Sequence, residues 1–134
     1  MVDRNGTPLA CLLSAANRND HLLLEAVLDA IPPIRRPRGR PRRRPDKLHA
    51  DKAYDFPVSR RLCRKRNIKA RIARRGIDSS QKLGRHRWVV ERTLAWLNRF
   101  RRLAIRYERR ADIHQAFLTL GCAIICFQQC LRFC

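Results

Sequence analysis

Acidic residues are scarce in this sequence: 11 Asp and Glu stand against 31 Lys and Arg in 134 residues, a formal net charge of +20. A surplus of that size makes a polyanion the expected partner. Nucleic acid ranks above an anionic membrane, because the Arg residues are spread over several segments with aromatic residues between them and do not build one basic amphipathic helix. Long apolar runs are also missing. The longest, 117–127, is about half of the ~20 residues that a membrane span needs, so no membrane partner is expected. Met1 is not followed by a charged segment and an apolar core of the secretory kind, which leads us to expect a cytoplasmic, nucleoid-associated protein. A CxxC pair is absent, and the six Cys read as reduced thiols. Cys122, Cys126, Cys130 and Cys134 recur every four residues, but one helix cannot wrap four thiolates around a single zinc. They read instead as small apolar residues of a packed face, as do Cys11 and Cys63.

What is present fits one domain of the α/β class. Asp3-Arg4-Asn5-Gly6 reads as a hairpin turn between a strand ending at Val2 and one returning from Pro8, with Asp3 a turn former. A chain that opens in mid-hairpin leads us to expect further sequence upstream. Asp20 reads as the cap of a helix over 22–31, with Leu23, Leu24, Val27 and Ile31 buried and Pro32-Pro33 as its stop. The stretch 32–46 holds five of the seven prolines, and seven Arg fall between Arg35 and Arg44. Such a segment predicts an extended, solvated loop suited to gripping a nucleic-acid backbone, or else a plain charged linker. A strand from Lys47 to Asp51, a helix opened by Asp55 and Pro57, and an alternating apolar and basic strand over 68–73 make a parallel βαβ unit. In such sheets ligands gather beyond the carboxyl ends of strands, where Asp51 falls.

From Val89 to Leu103 the positions Val89, Thr93, Trp96, Phe100 and Leu103 form one stripe of an amphipathic helix. The opposite arc carries Arg87, Glu91, Leu94, Asn98, Arg101 and Arg102. Between Ser79 and Tyr107 there are eight Lys or Arg and one acid, Glu91. A lone carboxylate in a basic field suits metal-assisted phosphoryl chemistry; the plainer reading is an i, i+4 salt bridge with Arg87. A helix over 112–133 closes the chain, its spacing predicting a buried face of Ile113, Ala116, Phe117, Leu120, Ile124, Phe127 and Leu131.

With both acids placed, the chain resembles the C-terminal part of bacterial insertion-sequence transposases with a DDE catalytic domain. Leu48-His49-Ala50-Asp51-Lys52-Ala53-Tyr54-Asp55 is similar to the segment bearing that family's second catalytic acid. The segment from Arg87 through Glu91 to Arg102 is similar to the one bearing the third, with Arg87 at the signature Arg four residues before the Glu. The sequence departs from the family pattern at Ala53, Gly84 and Asn98, where Gly, Tyr and Lys are common. The resemblance implies a truncated RNase H-like fold, a mixed sheet flanked by helices with a long C-terminal helix. It also implies that Asp51 and Glu91 are metal ligands in a two-metal Mg²⁺ or Mn²⁺ site, with Arg87, Asn98, His49 and His86 orienting them or holding phosphate. The family's first Asp lies on a strand expected to be missing here, so this polypeptide alone is expected neither to cut nor to join DNA.

Transposon and target DNA are the expected partners, gripped by Arg35, Arg36, Arg38, Arg40, Arg42, Arg43 and Arg44, by Arg74 and Arg75, and by Arg101 and Arg102. Protein partners expected are an upstream transposase segment, full-length transposase or a second copy in a homo-oligomer. The competing reading is a non-catalytic basic remnant that occupies DNA and regulates or inhibits full-length transposase.

Overall fold

The computed structural model describes residues 1–35, 37–77 and 80–132, with the side chains of 80–87 outside the description. The chain divides into two compact units, Ser14–His86 and Met1–Leu13 with Arg87–Cys134. The first is built on a parallel pair, β1 (Lys47–Ala50) and β2 (Lys69–Ile72), joined through α2 (Pro57–Lys65). Alternation sets the faces: Leu48 and Ile72 are buried while Lys47, His49, Lys69 and Arg71 are exposed. Ser59 and Cys63, 1% and 0% exposed, form the buried stripe of α2.

Pro57 starts α2 where its missing N–H costs nothing, and Phe56 precedes it as cap. Asn67 ends it at φ 53°, with Ile68 N–H donating to the Cys63 carbonyl at 2.8 Å and Asn67 N–H to that of Arg64 at 3.0 Å. This is a Schellman stop with Asn in the left-handed position.

Residues Asp20–Leu23 form a 3-10 turn leading into α1 (Leu24–Asp29). Asn19, not Asp20, stands before the turn, and no side chain caps it. Leu24, Leu28 and Ile31 are the buried positions, whereas Leu23 and Val27 are half-buried. The Arg/Pro stretch is closed at its base rather than open throughout, because Ile34 and Arg42 exchange two backbone hydrogen bonds of 2.8 Å. Arg42 then pairs with Asp46, and Arg44 donates to the Arg66 carbonyl. Arg66 in turn holds Glu25 and Asp29, so the loop's base joins a charged cluster that includes α1.

The second unit contains the N-terminal hairpin, α4 (Arg101–Ala104), α5 (Ala111–Leu131) and the part of α3 (Ser80–Leu97) from Arg87 onward. Asp3 accepts from the Asn5 and Thr7 N–H groups at 2.8 Å each, which makes it the turn former its neighbours predict. Of the predicted α3 stripe, Val89 and Thr93 are buried; Leu97 is the third buried position, while Trp96, Phe100 and Leu103 are half-buried.

The expected inward face of α5 is corrected. Gly121 and Ile125 are its buried residues; of the expected positions Phe117 and Ile124 are half-buried, while Ile113, Ala116, Leu120, Phe127 and Leu131 are exposed. Gly121 admits this packing: a Cβ there would meet Leu103 Cδ1 at 2.9 Å and Leu97 Cδ2 at 3.3 Å. Polar groups of α5 hold the hairpin, with Gln115 accepting from Leu13 N–H at 2.8 Å and donating to the Cys11 carbonyl at 3.0 Å. By length and composition α5 is apolar enough to cross a membrane. Counting only the unbroken apolar run understates it, because a helix of 21 residues tolerates a few polar groups.

Candidate functional site

Asp51 lies one residue beyond β1, in extended backbone at φ −77° and ψ −177°. Its Oδ1 accepts the Ala53 N–H at 2.9 Å and its carbonyl accepts from Tyr54 at 3.2 Å. The carboxylate therefore caps the short turn Lys52–Tyr54 and remains exposed. Burial pushes the Tyr54 hydroxyl up, with the charges of Asp20 and Asp51 adding to it.

The carboxyl ends of both strands are braced nearby. Ala73 N–H donates to the Ala50 carbonyl at 3.2 Å, and Arg60 Nη2 reaches the Ile72 carbonyl at 3.0 Å. The same Arg60 grips Asp55 Oδ1 at 2.7 Å, while Asp55 Oδ2 accepts the Arg75 N–H at 2.9 Å. These two contacts, that from the Arg75 backbone foremost, hold the Asp55 carboxyl below the ordinary carboxylate range. Asp55 is thus a brace rather than the cap of α2. Arg75 also donates from Nε to the Lys52 carbonyl at 3.0 Å and lies 4.7 Å over the Phe56 ring, against which His21 also stacks at 3.8 Å. Arg74 is exposed, as are Arg35, Arg38, Arg40, Arg43 and Arg44, and Arg42 is half-buried. Arg36 lies outside the described residues. His49 is exposed on β1.

In the other unit Glu91 is exposed on α3. The residue after it, Arg92, is held between two rings, 4.5 Å from Trp88 and 4.9 Å from Trp96, and donates to the Asn5 carbonyl. Sequence reading passed over this clamp, although tryptophans at four before and four after an Arg are its signal. Asn98 is exposed just past the helix, its N–H donating to the Leu94 carbonyl at 2.9 Å. Arg101 is exposed, and Arg102 donates to Glu108 at 2.7 Å while its guanidinium sits 5.3 Å from the Phe117 ring. That bond holds the Glu108 carboxyl below its usual range. Arg101, Arg102 and Tyr107 line an open hollow of about 350 Å³. The side chains of Arg87 and His86 lie outside the described residues.

Asp51 and Glu91 fall in different units, and each is placed only within its own. Among the described residues no three His, Cys, Asp or Glu side chains gather as a metal centre needs.

The chain is basic and of mixed helix and parallel strand, with an acid at a strand's carboxyl end and another on a helix among arginines. Comparison with known families narrows this: the profile described as "Transposase DDE domain" matches residues 1–126, and the chain belongs to that family of insertion-sequence transposases. It is 54% identical over 132 residues to a Burkholderia cepacia protein assigned by name as a transposase for insertion sequence element IS402. The match covers 98% of this chain and 63% of that relative. No solved structure matches.

Proposed function

We propose that this chain is part of a DDE transposase catalytic domain with an RNase H-like fold, and that it binds transposon DNA and supplies two carboxylates, Asp51 and Glu91, to metal-dependent cleavage and strand transfer. The observation that carries the reading is the seat of Asp51 at the carboxyl end of a strand in a parallel pair, within the stretch matched to the DDE family.

DDE transposase domains generally use divalent metal ions, and in this reading Mg²⁺ or Mn²⁺ is completed by a carboxylate from another transposase segment. Arg87, Asn98, His49 and His86 are proposed to orient the acids or hold phosphate. The 32–46 loop, Arg74 and Arg75, and Arg101 and Arg102 are proposed to grip the DNA backbone, in a cytoplasmic, nucleoid-associated protein able to associate with full-length transposase or a second copy.

The test combines the chain with the remaining transposase segment, Mg²⁺ or Mn²⁺ and transposon-end DNA. Asp51→Asn and Glu91→Gln are each expected to abolish cleavage while leaving DNA binding in place. Cleavage unchanged by either substitution sinks the site. DNA binding that ignores both the metal and the substitutions, with no cleavage in any mixture, points to the regulatory remnant instead.

A further inference from the structure

We propose that the outward face of the β1–β2 pair is a seat for the phosphate backbone of duplex DNA, carried by Lys47, Lys69 and Arg71; this rests on the DNA-binding reading above. The strand register pairs Lys47 with Lys69 and His49 with Arg71, and all four side chains are exposed on one face. Neighbouring strands lie about 4.8 Å apart, so cations are set side by side across the ladder. Like charges directly opposite one another destabilise a sheet, and a two-stranded sheet has little stability to give up.

The neighbouring acids are turned elsewhere. Asp46 pairs with Arg42, Asp51 accepts from Ala53, and Asp55 is held by Arg60 and Arg75. The opposite face needs no charge to be stable, since Leu48 and Ile72 are buried on it. Spacing adds a second argument. Outward residues recur about every 6.6 Å along a strand, of the order of the through-space separation of consecutive phosphates on one DNA strand, which exceeds the ~3.4 Å axial rise because the backbone winds about the helix. A row of two cations on β2 beside one on β1 therefore fits a backbone running along the strands.

Salt titration of binding to a short duplex of arbitrary sequence tests this on the full chain. In the Lys47→Gln, Lys69→Gln, Arg71→Gln variant the slope of log affinity against log salt is expected to fall by about 2.7, from roughly 0.9 for each phosphate no longer neutralised. The unfolding midpoint of the same variant is expected to hold or rise, because the repulsion is relieved. The charge-keeping variant Lys47→Arg, Lys69→Arg, Arg71→Lys is expected to keep the wild-type slope, which separates loss of charge from loss of fold.

A neutral variant that keeps the wild-type slope overturns the proposal, as does a charge-keeping variant that loses it. So does a neutral variant that loses binding to phosphatidylserine vesicles but not to the duplex. A wild-type chain that fails to bind the duplex overturns the DNA-binding reading itself, a result distinct from all of these.

Discussion

The Thr93 hydroxyl donates to the Gly6 carbonyl at 2.7 Å, joining the N-terminal turn to the helix that carries Glu91 across 87 positions of sequence. Gly6 stands at φ +80°, and a Cβ there would meet Thr93 Oγ1 at 3.0 Å and Arg92 Nη2 at 3.1 Å. Gly6→Ala is therefore expected to destabilise the chain by about 1–2 kcal/mol from the left-handed backbone, with the close contacts adding to it. Thr93→Val keeps the shape but strands a buried carbonyl, costing about 1–3 kcal/mol. Urea unfolding of both variants, followed by circular dichroism, checks the pair.

Asn67 makes a second, independent prediction at the end of α2. Its left-handed conformation suits Gly best, so Asn67→Gly is expected to hold or raise the urea midpoint, and Asn67→Ala to cost about 1 kcal/mol. Equal effects of the two substitutions would contradict the Schellman geometry.

Asp55 links stability to pH. Its carboxyl is held below the ordinary range by the Arg75 N–H and the Arg60 guanidinium, so its contribution is present above the unfolded value of about 3.9 and fades as pH falls through the lower folded value. Asp55→Asn is expected to unfold at lower urea than wild type at neutral pH, with the gap closing in acid where both side chains are neutral. A gap independent of pH would remove the charge from the explanation.

The thiols differ in reactivity. The neighbouring Cys122 thiol holds the Cys11 thiol below its ordinary value, whereas burial pushes Cys63 up. At neutral pH iodoacetamide is expected to modify Cys11 before Cys63, and Cys122→Ala to slow Cys11. Peptide mapping of a brief labelling reaction decides it.

The arm separates grip from closure. Arg38, Arg40 and Arg43 are exposed, and changing them to Gln is expected to lower the salt slope of duplex binding by about 0.9 for every phosphate they had neutralised. Arg42 bonds Asp46 and the Arg44 carbonyl, so Arg42→Gln is expected to loosen the loop base, read as faster proteolysis within 32–46.

The local grammar of the chain was legible where punctuation was strong. Asp3 in its turn, Pro57 opening α2 and the basic–apolar alternation of β2 each dictate one local solution, and the structure follows them. Faces were less legible. Along α5 apolar residues and cysteines surround the helix nearly all round, so spacing alone does not choose the inward side; the small volume of Gly121 against Leu103 and Leu97 does. Arg75 shows the other limit, since its sequence context reads only as charge, while the fold uses it to clasp Lys52, Phe56 and Asp55. Asp51 was legible as a position at a strand's end, but its bond to Ala53 depends on the turn that follows.

Both tryptophans of the chain flank Arg92, one on each side along α3. Intrinsic fluorescence excited at the indole is then a local optical probe of that helix, with a charged quencher-sized group fixed against both emitters. A change in emission on adding a ligand reports the surroundings of Glu91, while the strand that leads to Asp51 stays spectroscopically dark.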